Sequence, residues 1–252
     1  MRIDQLNLVI RPRHPFEADD LGVRLLQQNW LSVYRVWLLL MLPMVALMVL
    51  LEHLTGRLLG IALLWWLKPL FDYLALWILS RAVFGGRPGV RECLTAMETF
   101  PRCGLFGALT IRRFSLSRGY VLPVRLLEDL TGAALESRIA TIRYNQTGRS
   151  RWLIQIFMAA ELSILCGLLS LVVWFAPTFQ DLSIVDDFVQ ATAGDWKRDL
   201  MVLMYGLAVT LVEPFYVAAA FLLYLNRRTD LEAWDIEIAF RQLADRLTGE
   251  TR

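Results

Sequence analysis

The chain has 252 residues, of which 56% are hydrophobic and only 20% charged, with a net charge of +2. That apolar share exceeds what an ordinary soluble domain carries; the small net charge argues neither for nor against nucleic acid, and no nucleic-acid partner is expected. The excess is gathered into four runs, about 36–51, 58–84, 152–176 and 200–225, of the order of the roughly 20 residues that cross a hydrocarbon core of about 30 Å.

None of these runs alternates polar with apolar residues, which excludes a β-barrel. Backbone inside lipid must satisfy its own hydrogen bonds, so the spans are helices. The predicted fold is all-α: a polytopic membrane protein with four transmembrane helices and amphipathic interfacial helices on the cytoplasmic side.

Residues 1–35 form the first segment. It has no apolar stretch followed by a small-residue cleavage site, so the first span is expected to act as its own uncleaved insertion signal. In "FEADDLGVRLLQQNWLSVYRVW", Asp19 or Asp20 offers a helix cap and Leu21, Leu25 and Leu26 fall on one face. This predicts a helix along the cytoplasmic surface. Trp30, Tyr34 and Trp37 follow as expected interface anchors.

The first transmembrane hairpin is expected over 36–84, turning outside the membrane at "EHLTGR" (52–57). Its second span contains "LLWWLKPLFDYLAL", with Lys68 and Asp72 one helical turn apart and Pro69 between them. Residues 85–150 are basic and expected to be interfacial helices against anionic lipid, with Arg112, Arg113, Arg118 and Arg125 at the cytoplasmic interface. The second hairpin is expected over 151–226, with an acidic external loop at 177–198 holding Asp181, Asp186, Asp187 and Asp195. Residues 227–252 are expected to form a cytoplasmic amphipathic helix.

The distribution of arginine sets the orientation. Arginines are dense before the first span, between the second and third, and after the fourth, while the connection between the third and fourth is acidic. The positive-inside rule then puts both termini and the long connection in the cytoplasm.

An ionisable residue deep in a span costs about 2.5–3.5 kcal/mol even on the lower scales, so it faces a bundle interior and a partner. Four such residues occur: Lys68, Asp72, Glu161 and Glu213. Lys68-Pro69-Leu70-Phe71 and Glu213-Pro214-Phe215-Tyr216 place opposite charges, each beside a proline, at the same depth of two inward-running helices. The match suggests a duplicated hairpin, with Lys68 pairing with Glu213 and Asp72 supporting the lysine. Pro69 and Pro214 would kink their helices and free carbonyls into the same polar pocket. Two roles are open for it: a network that fixes helix register, or a relay or headgroup site.

No catalytic constellation stands out. Cys93, Cys103 and Cys166 imply no disulfide framework, and His14 and His53 lie far apart. No metal-ligand cluster or phosphate-binding loop is legible, so neither metal nor cofactor is expected.

The exit of the last span, "VEPFYVAAAFLLYLNRRTDLEAWDIEIAFRQL", joins Pro214, Leu223, Tyr224, Arg227, Arg228, Glu232, Asp235 and Phe240 in one pattern. It resembles that of a group of bacterial inner-membrane proteins without an assigned activity. More distantly, the chain is similar to the membrane domain attached to some glycerophosphodiester phosphodiesterases, without their catalytic domain. The group is often encoded beside a membrane transglutaminase-like protein and a chaperone-type ATPase. The resemblance therefore implies a non-enzymatic inner-membrane subunit of an envelope assembly. Its partners would be anionic lipid headgroups and other membrane or cytoplasmic proteins, met through the arginine-rich face. Physically, Tyr224, Arg227 and Arg228 suit the cytoplasmic interface, and Glu232 or Asp235 could pair with Arg112, Arg113 or Arg118. The alternative is a transporter or lipid-handling protein that uses Lys68, Asp72, Glu161 and Glu213.

Overall fold

The computed structural model describes residues 14–83, 86, 89–115, 117–175 and 196–232. The expected acidic loop, Asp235 and the remainder of the C-terminal helix, and the first thirteen residues lie outside that set. Among the described residues helices are the only regular secondary structure. The elements are α1 Pro15–Gln28, α2 Trp30–Thr55, α3 Leu59–Val83, α4 Val90–Met97, α5 Leu105–Leu109, a 3₁₀ turn Ile111–Phe114, α6 Arg118–Leu127, α7 Gly132–Arg143, α8 Thr147–Phe175 and α9 Trp196–Glu232.

Helices α2, α3, α8 and α9 are each long and apolar enough to cross a membrane. Their outward faces are as apolar as their inward ones. In α2 the buried stripe is Val33, Trp37, Met41, Val45, Met48 and Glu52, recurring every three to four residues as one helical face does. Leu39, Leu42, Leu47, Leu50 and Leu54 are exposed on the other side. An apolar exterior of this kind is stable only against lipid or another apolar surface.

Helix α9 is the axis of the bundle and packs against α1, α2, α3, α6 and α8. The α1–α2 arm runs antiparallel to it. Gly22 meets Ala218 and Ala219, Trp37 meets Thr210, Val45 meets Gly206, and His53 meets Asp199 at the far end. Small residues set the separation. A Cβ on Gly22 would fall 2.6 Å from the Ala218 carbonyl oxygen, and one on Gly206 would fall 2.6 Å from Val45 Cγ1, so α1 meets α9 backbone to backbone and α2 meets it side chain to backbone, as small-residue membrane interfaces do. Helix α8 lies at the edge, most of its surface uncovered by the rest of the chain.

Three expectations for this arm are corrected. Helix α1 begins at Pro15 with His14 at the cap position, because proline's missing N–H costs nothing in a first turn; Asp19 and Asp20 are therefore inside the helix and cap nothing. Helix α1 is also not confined to a surface, since its glycine face is seated on α9. Trp37 is fully buried and is no interface anchor.

The α2–α3 turn closes on Gly56, whose φ of 59° is left-handed, as helix ends commonly require. Buried Glu52 accepts from the backbone N–H groups of Leu58 (2.9 Å) and Gly60 (3.0 Å). Its carboxylate thus caps the positive N-terminal end of α3.

Helices α4 to α7 form a collar at the end of the bundle where α9 ends, with α5 and α6 reaching farther along α3 and α9. Glu128 is the knot there: it accepts from Arg138 Nε at 2.7 Å and from the Tyr224 hydroxyl at 2.5 Å. Glu232 takes Arg138 and, at 2.8 Å, Arg228. The expected pairing of Glu232 with Arg112, Arg113 or Arg118 is not formed. Helix α9 continues unbroken to Glu232, which sets this carboxylate one turn beyond Arg228 and level with α7. Tyr224 is buried in this knot.

Candidate functional site

A proline within a helix removes the N–H that would bond the carbonyl four residues earlier. For Pro69 that carbonyl belongs to Trp65. Arg113, at the 3₁₀ turn, donates to the Trp65 carbonyl and, at 2.6 Å, to that of Trp66. Its guanidinium also lies 3.7 Å from the centroid of the Trp65 ring. One planar fork therefore serves two successive carbonyls and an indole face, which an ammonium group does not do.

This contact fixes how deeply the collar penetrates. At 1.5 Å per residue, Trp65 lies about 9 Å from the start of α3 and Asp72 lies about 20 Å from it, near the middle of the helix. Arg113 meets α3 beyond its midpoint, in the half farther from the collar, and Arg118 meets it at the midpoint. The segment from Leu105 to Leu127 therefore descends along the bundle core and returns. Exposed Phe106, Ile111 and Phe114 give this re-entrant hairpin an apolar outer surface. Arg113, Arg118 and Arg125, expected at the interface, turn inward, while Arg112 remains exposed on the hairpin. Arg227 and Arg228 stay at the collar end of α9, where Arg227 donates to the Tyr144 carbonyl at 3.4 Å.

The four intramembrane charges come together. Lys68 Nζ forms an ion pair with Glu161 and lies 3.3 Å from Glu213 Oε2, so the expected pairing of Lys68 with Glu213 is present. Asp72 departs from its expected role. Its Oδ2 is 3.2 Å from Arg118 Nε, and its carboxyl faces that of Glu213. Arg118 in turn lies over the Tyr216 ring at 5.5 Å, and Tyr205 faces Glu161.

The order is Glu161, Lys68, Glu213, Asp72, Arg118, a continuous chain of alternating and adjoining charges. It draws on α8, α3, α9 and α6. Arg113 stands close enough to act on Asp72 and Arg118, so three cations face three carboxylates. Asp72 is wholly buried and Glu213 nearly so. Such burial is sustainable only when each ion has its counter-ion.

The chain ends in two different cavities. On one side Lys68, Glu161 and Tyr205, with Trp65, Met158 and Leu162, line a hollow of about 340 Å³ between α3, α8 and α9, walled mostly by apolar side chains. On the other side Arg118, with Asp72 sealed behind it, forms the floor of a cavity of about 190 Å³ beneath the re-entrant hairpin, to which Arg112, Arg125 and Arg143 also contribute. Glu213 lies between the two.

No cluster of three or more histidine, cysteine or acidic residues suited to a metal ion occurs among the described residues. Cys93 is buried, with its thiol pushed up to about 12 by burial, and is an inert packing group rather than a nucleophile.

Sequence reasoning names Arg113 and Trp37 as interface residues and misses their roles as donors to orphaned carbonyls. Both could have been found from the prolines. Pro69 and Pro214 orphan the carbonyls of Trp65 and Thr210, and a buried carbonyl requires a donor. Trp37 Nε1 supplies it to Thr210 at 2.9 Å. Comparison of the chain with known protein families, with curated proteins and with solved structures finds no match.

Proposed function

We propose that this protein is a non-enzymatic, lipid-handling membrane protein that holds or moves an anionic amphiphile at the midplane of the bilayer. The observation that supports the reading is the ionic chain itself, which opens at Lys68 and Glu161 onto an apolar-walled lateral hollow and at Arg118 onto an arginine-lined cavity. A network serving only to fix helix register needs no cavity at either end. One that must pair with a headgroup while acyl chains stay in an apolar hollow does. In this reading the collar end, with α1 and the end of α9, faces the cytoplasm of a bacterial inner membrane, following the arginine distribution.

The test is lipid flux. Proteoliposomes carrying a headgroup-labelled phosphatidylglycerol report the fraction of label reached by an impermeant quencher. Protein should raise the rate at which inner-leaflet label becomes quenchable, and Glu213→Gln should return it to the protein-free rate. Equal rates with and without protein would defeat the reading.

A second reading, in which the chain is a subunit that docks other membrane proteins of an envelope assembly, draws its support from α8. That helix is left largely uncovered by its own chain. Isolation of a stoichiometric complex that survives detergent extraction would favour it.

A further inference from the structure

The cavity beneath the re-entrant hairpin holds an excess of positive charge that its own carboxylates leave unmatched. Two of its acids are engaged: Asp72 with Arg118 at 3.2 Å, and Glu136 with Arg125 at 2.8 Å. Arg112 has no ion pair among the described residues, and Arg143 likewise.

Two of these guanidinium groups converge. A Cβ placed on Gly104 would lie 3.2 Å from Arg125 Nη1 and 3.4 Å from Arg112 Nη1, so both nitrogens occupy the space over a single Cα. A Cβ on Gly107 would lie 3.2 Å from Arg112 Cζ. Gly104 has a φ of 88°, which a side chain would strain. The two glycines thus leave the backbone bare where the arginines meet. Arg125 gives Nη2 to Glu136 and turns Nη1 toward Arg112, so the two guanidinium groups together carry one positive charge more than Glu136 matches, and an anion between them would relieve their repulsion.

We propose that this cavity is a binding site for a phosphate group, held between Arg112 and Arg125 over the Gly104–Gly107 turn. Guanidinium forks match the geometry of phosphate oxygens, and charge-assisted pairs of this kind are among the stronger hydrogen bonds. The volume agrees with the chemistry. About 190 Å³ is below the roughly 300 Å³ at which pockets for drug-sized ligands begin, but it accommodates a phosphate with a few attached atoms. The phosphate could be the headgroup of an anionic lipid or a free ion, since both present the same oxygens. The proposal deepens the lipid-handling reading and rests on it only for the source of the phosphate.

The experiment uses the full chain in a phosphate-free neutral detergent, with calorimetric titration of inorganic phosphate, of dihexanoyl phosphatidic acid and of dihexanoyl phosphatidylcholine. Phosphatidic acid is expected to bind more tightly than phosphatidylcholine. Arg112→Gln, which removes an exposed group with no ion pair among the described residues, and Gly107→Leu, which fills the cradle, should each weaken binding by about tenfold or more. Arg91→Gln, an exposed arginine on α4, should leave it unchanged. Thermal unfolding of each variant separates lost binding from lost fold. Phosphatidic acid binding well above inorganic phosphate identifies a lipid source, and equal binding identifies a free ion; both support the site. Binding unaltered by Arg112→Gln and Gly107→Leu overturns it. Phosphate binding intact in a protein that moves no lipid would overturn the lipid-handling reading while leaving the site in place.

Discussion

The indole N–H of Trp37 donates to the carbonyl of Thr210 at 2.9 Å, and Thr210 stands four residues before Pro214, so the bond replaces the one that proline deletes. The breaks at Pro69 and Pro214 are each repaired by a side chain from another element, Trp37 for Pro214 and Arg113 for Pro69.

Removing the Trp37 donor while keeping an aromatic ring isolates that bond. Trp37→Phe should destabilise the protein by about 1–2 kcal/mol, the range for a buried carbonyl left unpaired, moderated by what membrane proteins show. In a Pro214→Ala background the helix regains its own N–H at that position. The same substitution should then cost markedly less, and the difference is read as the coupling energy of a double-mutant cycle. Equal costs in both backgrounds would mean that Trp37 acts by packing alone.

Arg113 holds the tip of the re-entrant hairpin, and its fork cannot be copied by lysine. Arg113→Lys should loosen the hairpin nearly as much as Arg113→Gln does. The measurement is the rate of maleimide labelling of a cysteine placed at Ser115, in a chain whose native cysteines are replaced. A loss of about 1.4–3 kcal/mol in local stability corresponds to a 10–100-fold faster reaction. A labelling rate unchanged by Arg113→Lys would show that charge alone anchors the tip.

The four spans were legible because an apolar run long enough to cross a bilayer has few other uses. Lys68 and Glu213 were legible as partners because their depths match and their signs oppose. The re-entrant hairpin was not, for two reasons. Arg113 and Arg118 lower the hydropathy of any window that contains them, which reads as interface. Their acceptors are also a backbone carbonyl pair and a carboxylate on a helix distant in sequence. A charge count would have shown the gap, since Asp72, Glu161 and Glu213 outnumber the single lysine within the spans. Buried carboxylates without counter-ions demand cations from elsewhere, and the arginines of the 85–150 segment were the available supply. Glu232 was misassigned for a related reason: the continuation of α9 through the arginine pair moved it out of reach of the hairpin.

Lys68 serves two carboxylates at once, which makes its loss asymmetric. Lys68→Met should cost about 3–5 kcal/mol because it leaves Glu161 and Glu213 buried without their cation. Glu161→Gln, which leaves Lys68 with Glu213, should cost less. The Lys68→Met, Glu161→Gln, Glu213→Gln combination should recover part of the loss of the first change, as measured by denaturant unfolding in mixed micelles. A triple variant less stable than Lys68→Met would indicate that the carboxylates have partners stronger than this lysine.

Glu128 ties the collar to α9 through Arg138 and the Tyr224 hydroxyl. Its carboxylate holds the Arg138 guanidinium charged well above the ordinary arginine range. Glu128→Ala should cost about 1.5–3 kcal/mol, as expected for hydrogen bonds to a charged group. The effect should be local. Hydrogen exchange should quicken in α7 and leave the α2–α3 turn unchanged, since Glu52 and Gly56 hold that turn separately; a uniform rise throughout the bundle would contradict the assignment.

Asp19 gives stability a pH dependence that can be traced to one residue. It lies on α1, outside the four spans. Burial against the bundle, together with the neighbouring Asp20, raises its pKa from 3.8 to about 7, against the opposing pull of Arg149. Oδ1 is buried without a hydrogen-bond partner. Between about pH 4 and pH 7 the folded chain keeps this proton and the unfolded chain has lost it, so the proton-linked stability is greatest below pH 4 and falls as pH rises through 7. Above that both states are ionised and the slope vanishes. Asp19→Asn removes the titration while keeping the size of the side chain. Unfolding of wild type and variant in parallel should give similar stabilities near pH 4 and a variant increasingly the more stable up to pH 8, where the aspartate must be buried charged. A difference independent of pH would place the proton elsewhere.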